Sequence, residues 1–108
     1  MPKIYIAGPM TGHFDYNRPS FFRAEALLRV EGHIVLNPAA LPGGLSQREY
    51  MLICTAMVHC ADVLHMLDGW MHSEGARAEF ALARKLGLRI EYQTALNPEA
   101  EGVQYAAE

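Results

Sequence analysis

The stretch Asp68-Gly69-Trp70-Met71-His72-Ser73-Glu74-Gly75-Ala76-Arg77-Ala78-Glu79-Phe80-Ala81-Leu82-Ala83 changes character part-way along. Its first five residues are turn-rich and follow a short apolar segment; the remainder reads as a helix with Ser73 as N-cap. Strand, loop and helix in that order form the repeating unit of an α/β fold. Ala76, Phe80 and Ala83, at i, i+4 and i+7, define the face that packs down, and Glu79 lies beside that face, above the sheet edge. The Ser73 hydroxyl and the free N–H groups of Glu74, Gly75 and Ala76 make a helix start able to hold an anion, with Gly75 admitting close approach to the backbone. Glu79 is then where a nucleophile or base would sit. The plainer alternative is a Ser-capped surface helix whose glutamate is solvated.

With 108 residues, the chain has room for one domain with a single core. An apolar fraction of 51% and a charged fraction of 19% place it among ordinary globular proteins. A net charge of −3 gives no basic footprint, which argues against a nucleic acid polymer as ligand but not against a small one. Cys54 and Cys60 fall on different sides of one predicted helix and are expected to stay unpaired, as in a reducing, cytoplasmic compartment. Met-Pro-Lys before a short strand is too brief for a signal peptide, and no apolar run reaches membrane-spanning length.

Outward from the central stretch, Lys3 to Ala7 reads as a buried parallel strand. The loop Gly8-Pro9-Met10-Thr11-Gly12 that follows can expose N–H groups and a hydroxyl, although it matches no phosphate-binding fingerprint. Asn17 or Asp15 can cap the first helix, Pro19 suits its first turn, and Phe22, Ala26, Leu27 and Val30 are expected on its core face before Gly32 closes it. His33 to Leu36 is the second strand. Ser46-Gln47-Arg48-Glu49 matches a capping box, opening a second helix through Met51, Ile53, Cys54, Met57 and Val58 to about Cys60. Asp62 to Leu67 is the third strand, Glu74 to about Leu86 the third helix with Gly87 just past its end, and Leu88 to Tyr92 the fourth strand. The domain is expected over residues 1–93, with a small, polar tail over 94–108 that is at most partly ordered.

Alternating strands and helices imply parallel pairing, right-handed crossovers and helices on both faces: a doubly wound, three-layer α/β/α sheet of the flavodoxin or Rossmann kind. In strand order 2-1-3-4, the reversal lies between the first and third strands. The loops Gly8 to Gly12 and Asp68 to Gly75 then meet at the place where this architecture binds ligands.

Several segments together carry a family resemblance: IYIAGPMTG near the N-terminus, Asn17-Arg18-Pro19, the G-H-x-V-x-N-P of Gly32 to Pro38, the C-A-D of Cys60 to Asp62, and Leu67 to Glu79. Over Lys3 to about Tyr92 the chain resembles a widespread family of small phage and bacterial proteins of unknown function. That family is similar to the nucleoside 2-deoxyribosyltransferases and the 2'-deoxynucleoside 5'-phosphate N-hydrolases. The narrower likeness rests on the first-strand tyrosine, the S-x-G-x-x-x-E spacing and the element order. It implies that Glu79 attacks the anomeric carbon of a deoxyribose, that Tyr5 hydrogen-bonds and orients it, and that Ser73 sits where the hydrolases hold a 5'-phosphate. The enzymes also place an aspartate eight positions ahead of the Asp62 position to assist protonation of the leaving base; here that residue is Cys54. A thiol in an apolar helix is a poor general acid, so Asp62 or Asp68 takes that role, or little or no activity remains.

The substrate-binding set expected from both readings is Gly8, Pro9, Met10, Thr11, Gly12, Trp70, Ser73, Gly75 and Ala76, with Trp70 stacking on a base and Met10, Phe14 and Met71 lining its pocket. Tyr5 and Trp70 equally suit plain packing, and Arg77 pairs more readily with Glu74 than with a phosphate. The five histidines share no ligand spacing, so neither metal nor cofactor is expected. The partner is a small nucleotide or nucleoside, with neither nucleic acid polymer nor membrane, and a homodimer or higher homo-oligomer is expected by analogy. Besides a nucleotide or nucleoside N-glycosidase, or a 2-deoxyribosyltransferase, two alternatives stand: a nucleotide-binding module without turnover, and an oligomeric interaction protein that packs through Met51 and Met57.

Overall fold

Short β-branched and aromatic runs flanked by turns become the strands, and the capped amphipathic segments become the helices that cover them. The computed structural model describes residues 1–94. In chain order it holds β1 (Lys3–Ala7), α1 (Arg18–Val30), β2 (Ile34–Leu36), α2 (Gln47–Cys60), β3 (Val63–Met66), α3 (Glu74–Leu86) and β4 (Arg89–Tyr92), with 3-10 turns at Phe14–Asn17, Pro38–Ala40 and Trp70–His72. The four strands form one parallel sheet in the order β2-β1-β3-β4, with Tyr5 paired to Leu36 on one side and Leu64 on the other. Of the expected tail, all but Thr94 lies outside the described residues. Among the described residues no helix is long and apolar enough to cross a membrane.

Alternation along the strands sends side chains to two separate cores. Ile4, Ile6, Val63 and Leu67 face α1 with Phe21, Ala24 and Leu28, whereas Tyr5, Ala7, Leu64 and Met66 face α2 and α3 with Val58, Ala76 and Ala83. The sheet is therefore the middle of three layers. The expected α1 stripe is corrected by one step around the helix: Phe22, Ala26, Leu27 and Val30 are exposed. The rotation follows from how the chain enters the helix. Asp15, Tyr16 and Asn17 are all left-handed (φ 50, 53 and 61), and the Asn17 amide donates to the Pro9 carbonyl at 2.9 Å instead of capping α1. Asp15 likewise pairs with Arg18.

The other helix boundaries follow their sequence signals. Ser46 Oγ accepts from the Glu49 N–H (3.1 Å) while Glu49 Oε1 accepts from the Ser46 N–H (2.7 Å), which closes the capping box of α2. Within α2, Val58 is buried, Ile53, Cys54 and Met57 are half-buried, and Met51 is exposed. At the far end of α3, Gly87 adopts φ 79, the left-handed turn that glycine enters without steric cost.

Candidate active site

A phenol taken fully out of water needs a hydrogen-bond partner. Tyr5 is fully buried in β1, a strand flanked on both sides, and its side chain points to the α2 and α3 layer. Its hydroxyl donates to Glu79 Oε2 at 2.8 Å. Glu79 reaches the phenol from the second turn of α3, whose packing face is made small by Ala76 and Ala83, so that the helix lies close to the sheet. Burial lifts the Glu79 carboxyl to about 7, with the Tyr5 hydrogen bond opposing the rise. Burial, reinforced by the negative charge at Glu79, raises the Tyr5 phenol well above its ordinary value, so it remains a donor throughout the physiological range.

A third side chain completes the group. Cys54 lies one helical turn before the buried Val58 and packs against the same cluster as Tyr5. Burial pushes its thiol up as well, which keeps the proton on sulfur. Residues from β1, α2 and α3 thus converge: a carboxyl that titrates near neutrality, a phenol and a thiol. Ionised, such a carboxylate is a nucleophile or a stabiliser of adjacent positive charge; protonated, it is a general acid.

The two loops leaving β1 and β3 touch. A side chain built on Gly69 would meet the Pro9 ring at 3.5 Å. Within them, however, several expected ligand contacts have structural occupations. A Cβ on Gly8 would lie 2.8 Å from Leu67 Cβ, so this glycine serves the packing of β1 against the end of β3. Pro9 is buried, and Met10 packs on the α1 side of the sheet, away from Glu79. Thr11 and Gly12 form an exposed turn with Gly12 at φ 88. Trp70 is corrected from a base-stacking surface to a core residue: 7% exposed, it stacks on Phe80 at 4.7 Å between centroids and tilts against Tyr92 at 6.3 Å. Its indole N–H is buried without an acceptor among the described residues.

Ser73 caps α3 as expected, accepting from the Ala76 N–H at 3.1 Å. That takes one of the three backbone donors at the helix start, and Ala76 itself is buried. The N–H groups of Glu74 and Gly75 lie in the first turn, where no intrahelical carbonyl reaches them, and the space over Gly75 is open. Arg77 donates to the Met71 carbonyl at 2.9 Å, which ties the loop to the helix in place of the expected pairing with Glu74. Ser73→Ala is expected to destabilise the fold by about 1 kcal/mol, read by chemical denaturation.

The two aspartates separate. Asp68 stands at the carboxyl edge of the sheet beside the site loops, where it accepts from the Thr94 hydroxyl at 2.7 Å. Asp62 is corrected: it precedes β3 at the opposite edge, exposed, and binds the Lys3 backbone N–H (2.9 Å) and ammonium (3.4 Å), which hold its carboxyl below the usual range. A group at the amino edge of parallel strands cannot serve a site over α3's first turns. Asp62→Asn is expected to change any activity dependent on Glu79 by less than about twofold, in a rate assay.

A family model described as a domain of unknown function (DUF4406) matches residues 2–92. The chain belongs to the DUF4406 family. The DUF4406 match takes in all four strands and three helices, and with them Tyr5, Cys54, Ser73 and Glu79. No curated protein matches the chain.

The sequence reads Cys54 as an unpaired thiol in the second helix and as the residue standing where an acid is expected. What it missed was the packing of Cys54 against the Tyr5 cluster, although the i, i+4 spacing to Val58 places the thiol on the sheet-facing stripe of α2. The Trp70, Phe80 and Tyr92 stack also went unread, since its members come from three different elements.

Proposed function

We propose that this DUF4406 domain is a nucleotide or nucleoside N-glycosidase, or a 2-deoxyribosyltransferase-like enzyme, that uses Glu79 as the nucleophile at the sugar C1'. The observation that carries the reading is the 2.8 Å hydrogen bond from Tyr5 to Glu79, which joins β1 to α3. Cleavage of an N-glycosidic bond builds oxocarbenium character at C1', and a carboxylate about 3 Å away stabilises it or bonds to it. The phenol fixes the rotamer of that carboxylate and favours its ionised form. The open backbone at Glu74 and Gly75 suits a phosphate or a sugar hydroxyl. Asp68, at the same edge, is the remaining candidate for assisting the leaving base.

Cys54 favours a second reading. A thiol held protonated by burial is a weak acid where the resembled enzymes carry an aspartate. A nucleotide-binding module without turnover fits that substitution. Incubation with each deoxynucleoside and deoxynucleoside 5'-monophosphate, followed by chromatography for free base, separates the two. Release of base that depends on Glu79 supports the enzyme. Thermal stabilisation by a nucleotide without release supports the binding module.

A further inference from the structure

We propose that the outer edge of β4 joins a second copy of this chain, the two strands running antiparallel about a twofold axis at Ile90 so that the two sheets become one. Among the described residues no strand lies beyond β4, which ends the order β2-β1-β3-β4. The Arg89 and Gln93 N–H groups donate to the carbonyls of Asp62 and Met66, on the β3 side, at 3.3 and 2.8 Å. Backbone groups alternate along a strand, so the N–H and C=O of Ile90 point the other way, outward from the sheet. An edge of this kind is a template for another strand. The opposite edge is blunter: β2 has three residues and leads straight into Asn37-Pro38.

Charge selects the register. Because Ile90 points outward, an antiparallel self-pair must set even-numbered residues opposite one another. If Ile90 faces the partner's Tyr92, Glu91 meets the partner's Glu91 and repels it. If Tyr92 faces the partner's Tyr92, Glu91 meets the partner's Gln93 and gains no opposite charge. If Ile90 faces the partner's Ile90, Arg89 meets the partner's Glu91 and Glu91 the partner's Arg89. That third register also sets Leu88 against the partner's Tyr92 on the other face, beside the Ile90 pair. Within the chain, Glu91 Oε2 is engaged by His65 at 2.6 Å, whereas Oε1 lies 3.9 Å from the Arg89 guanidinium of its own strand, long enough to leave room for a second one. Val63 and His65, the register partners of Arg89 and Glu91, place these charges on the α1 side of the sheet, and α1 itself lies over β1 and β2.

The pairing stands apart from the glycosidase reading, and its test needs no activity. A four-residue strand pair is small, so the association is weak, with a Kd on the order of 50 µM. Sedimentation velocity follows the full chain from about 20 µM to about 1 mM, and solvent-exchange NMR reads the Ile90 amide over the same range. A dimer is expected to form, with Ile90 exchange slowing about fourfold while that of Gln93, already bonded to β3, changes by less than about twofold. Arg89→Glu and Glu91→Arg are each expected to weaken self-association at least about tenfold, and the two variants are expected to pair with each other on mixing, because only the mixture restores opposite charges at both positions. The exchange measurement on the wild type needs no variant. A monomer throughout the range, or folded variants that dimerise alone as the wild type does, overturns the proposal. Association that leaves Ile90 exchange independent of concentration places the interface elsewhere, as at the exposed Met51 and Leu52 of α2, and overturns it too.

Discussion

Glu79→Gln is expected to lower base release by at least about a thousandfold and, at the same time, to make the protein more stable above neutral pH. Both effects have one source. The carboxyl is largely taken out of water by α3 and the sheet, and that burial lifts it from 4.5 to about 7. The folded chain therefore keeps this proton up to about pH 7, while the unfolded chain releases it near 4.5. Between those values the folded state binds more protons, so wild-type stability falls as pH rises through the window, with no penalty below it and the full penalty above it. A shift of this size corresponds to roughly 3 kcal/mol. Glutamine keeps the acceptor for the Tyr5 hydroxyl but buries an NH2 group, so the net gain above pH 7 is about 1–2 kcal/mol, or some 5–10 °C in Tm. Calorimetry of both proteins from pH 4 to 8 checks it: curves that run parallel contradict the buried carboxyl, whatever the activity. In the wild type, base release is expected to rise through pH 7 as the nucleophile ionises, and a rate that falls over that range assigns Glu79 to acid catalysis instead.

The second large effect concerns a residue whose sequence setting points to a ligand. Gly8→Ala places a Cβ 2.8 Å from Leu67 Cβ and 2.9 Å from its Cδ1. The first of those atoms sits at the root of its side chain, so no rotamer change clears it, and β1 must move relative to the end of β3. The expected cost is about 2–3 kcal/mol, or some 10 °C in Tm, with larger losses for Gly8→Val. Denaturation of purified variants measures it. A ligand role predicts the opposite pattern, a stable protein with raised KM, and that outcome would return Gly8 to the binding set.

The contrast between these two positions marks what could be read in the sequence. The strand and helix order, the capping box at Ser46 and the left-handed stop at Gly87 are local signals, and the structure follows them. Strand ends differ by a residue, as at His33, Asp62, Leu67 and Leu88, the positions at which helix and strand boundaries are least sharply defined. The α1 face was not legible, because Phe21, Ala24 and Leu28 fit a helical stripe as well as Phe22, Ala26, Leu27 and Val30 do. A tertiary contact from Asn17 to Pro9 sets the rotation that chooses between them. The meeting of Tyr5 and Glu79 followed from strand order together with resemblance. The burial of Trp70 was hidden, since an aromatic in a turn-rich loop reads as solvent-facing until Phe80 and Tyr92 are brought beside it.

Strand β1 lies between two neighbours, and Tyr5 is sealed on every side. Its amide hydrogen should therefore trade for deuterium only when the whole domain opens. No fraying segment can carry the phenol off the carboxylate by itself. Chaotrope concentrations that leave the fold intact should leave this pair assembled, and inactivation should coincide with global melting.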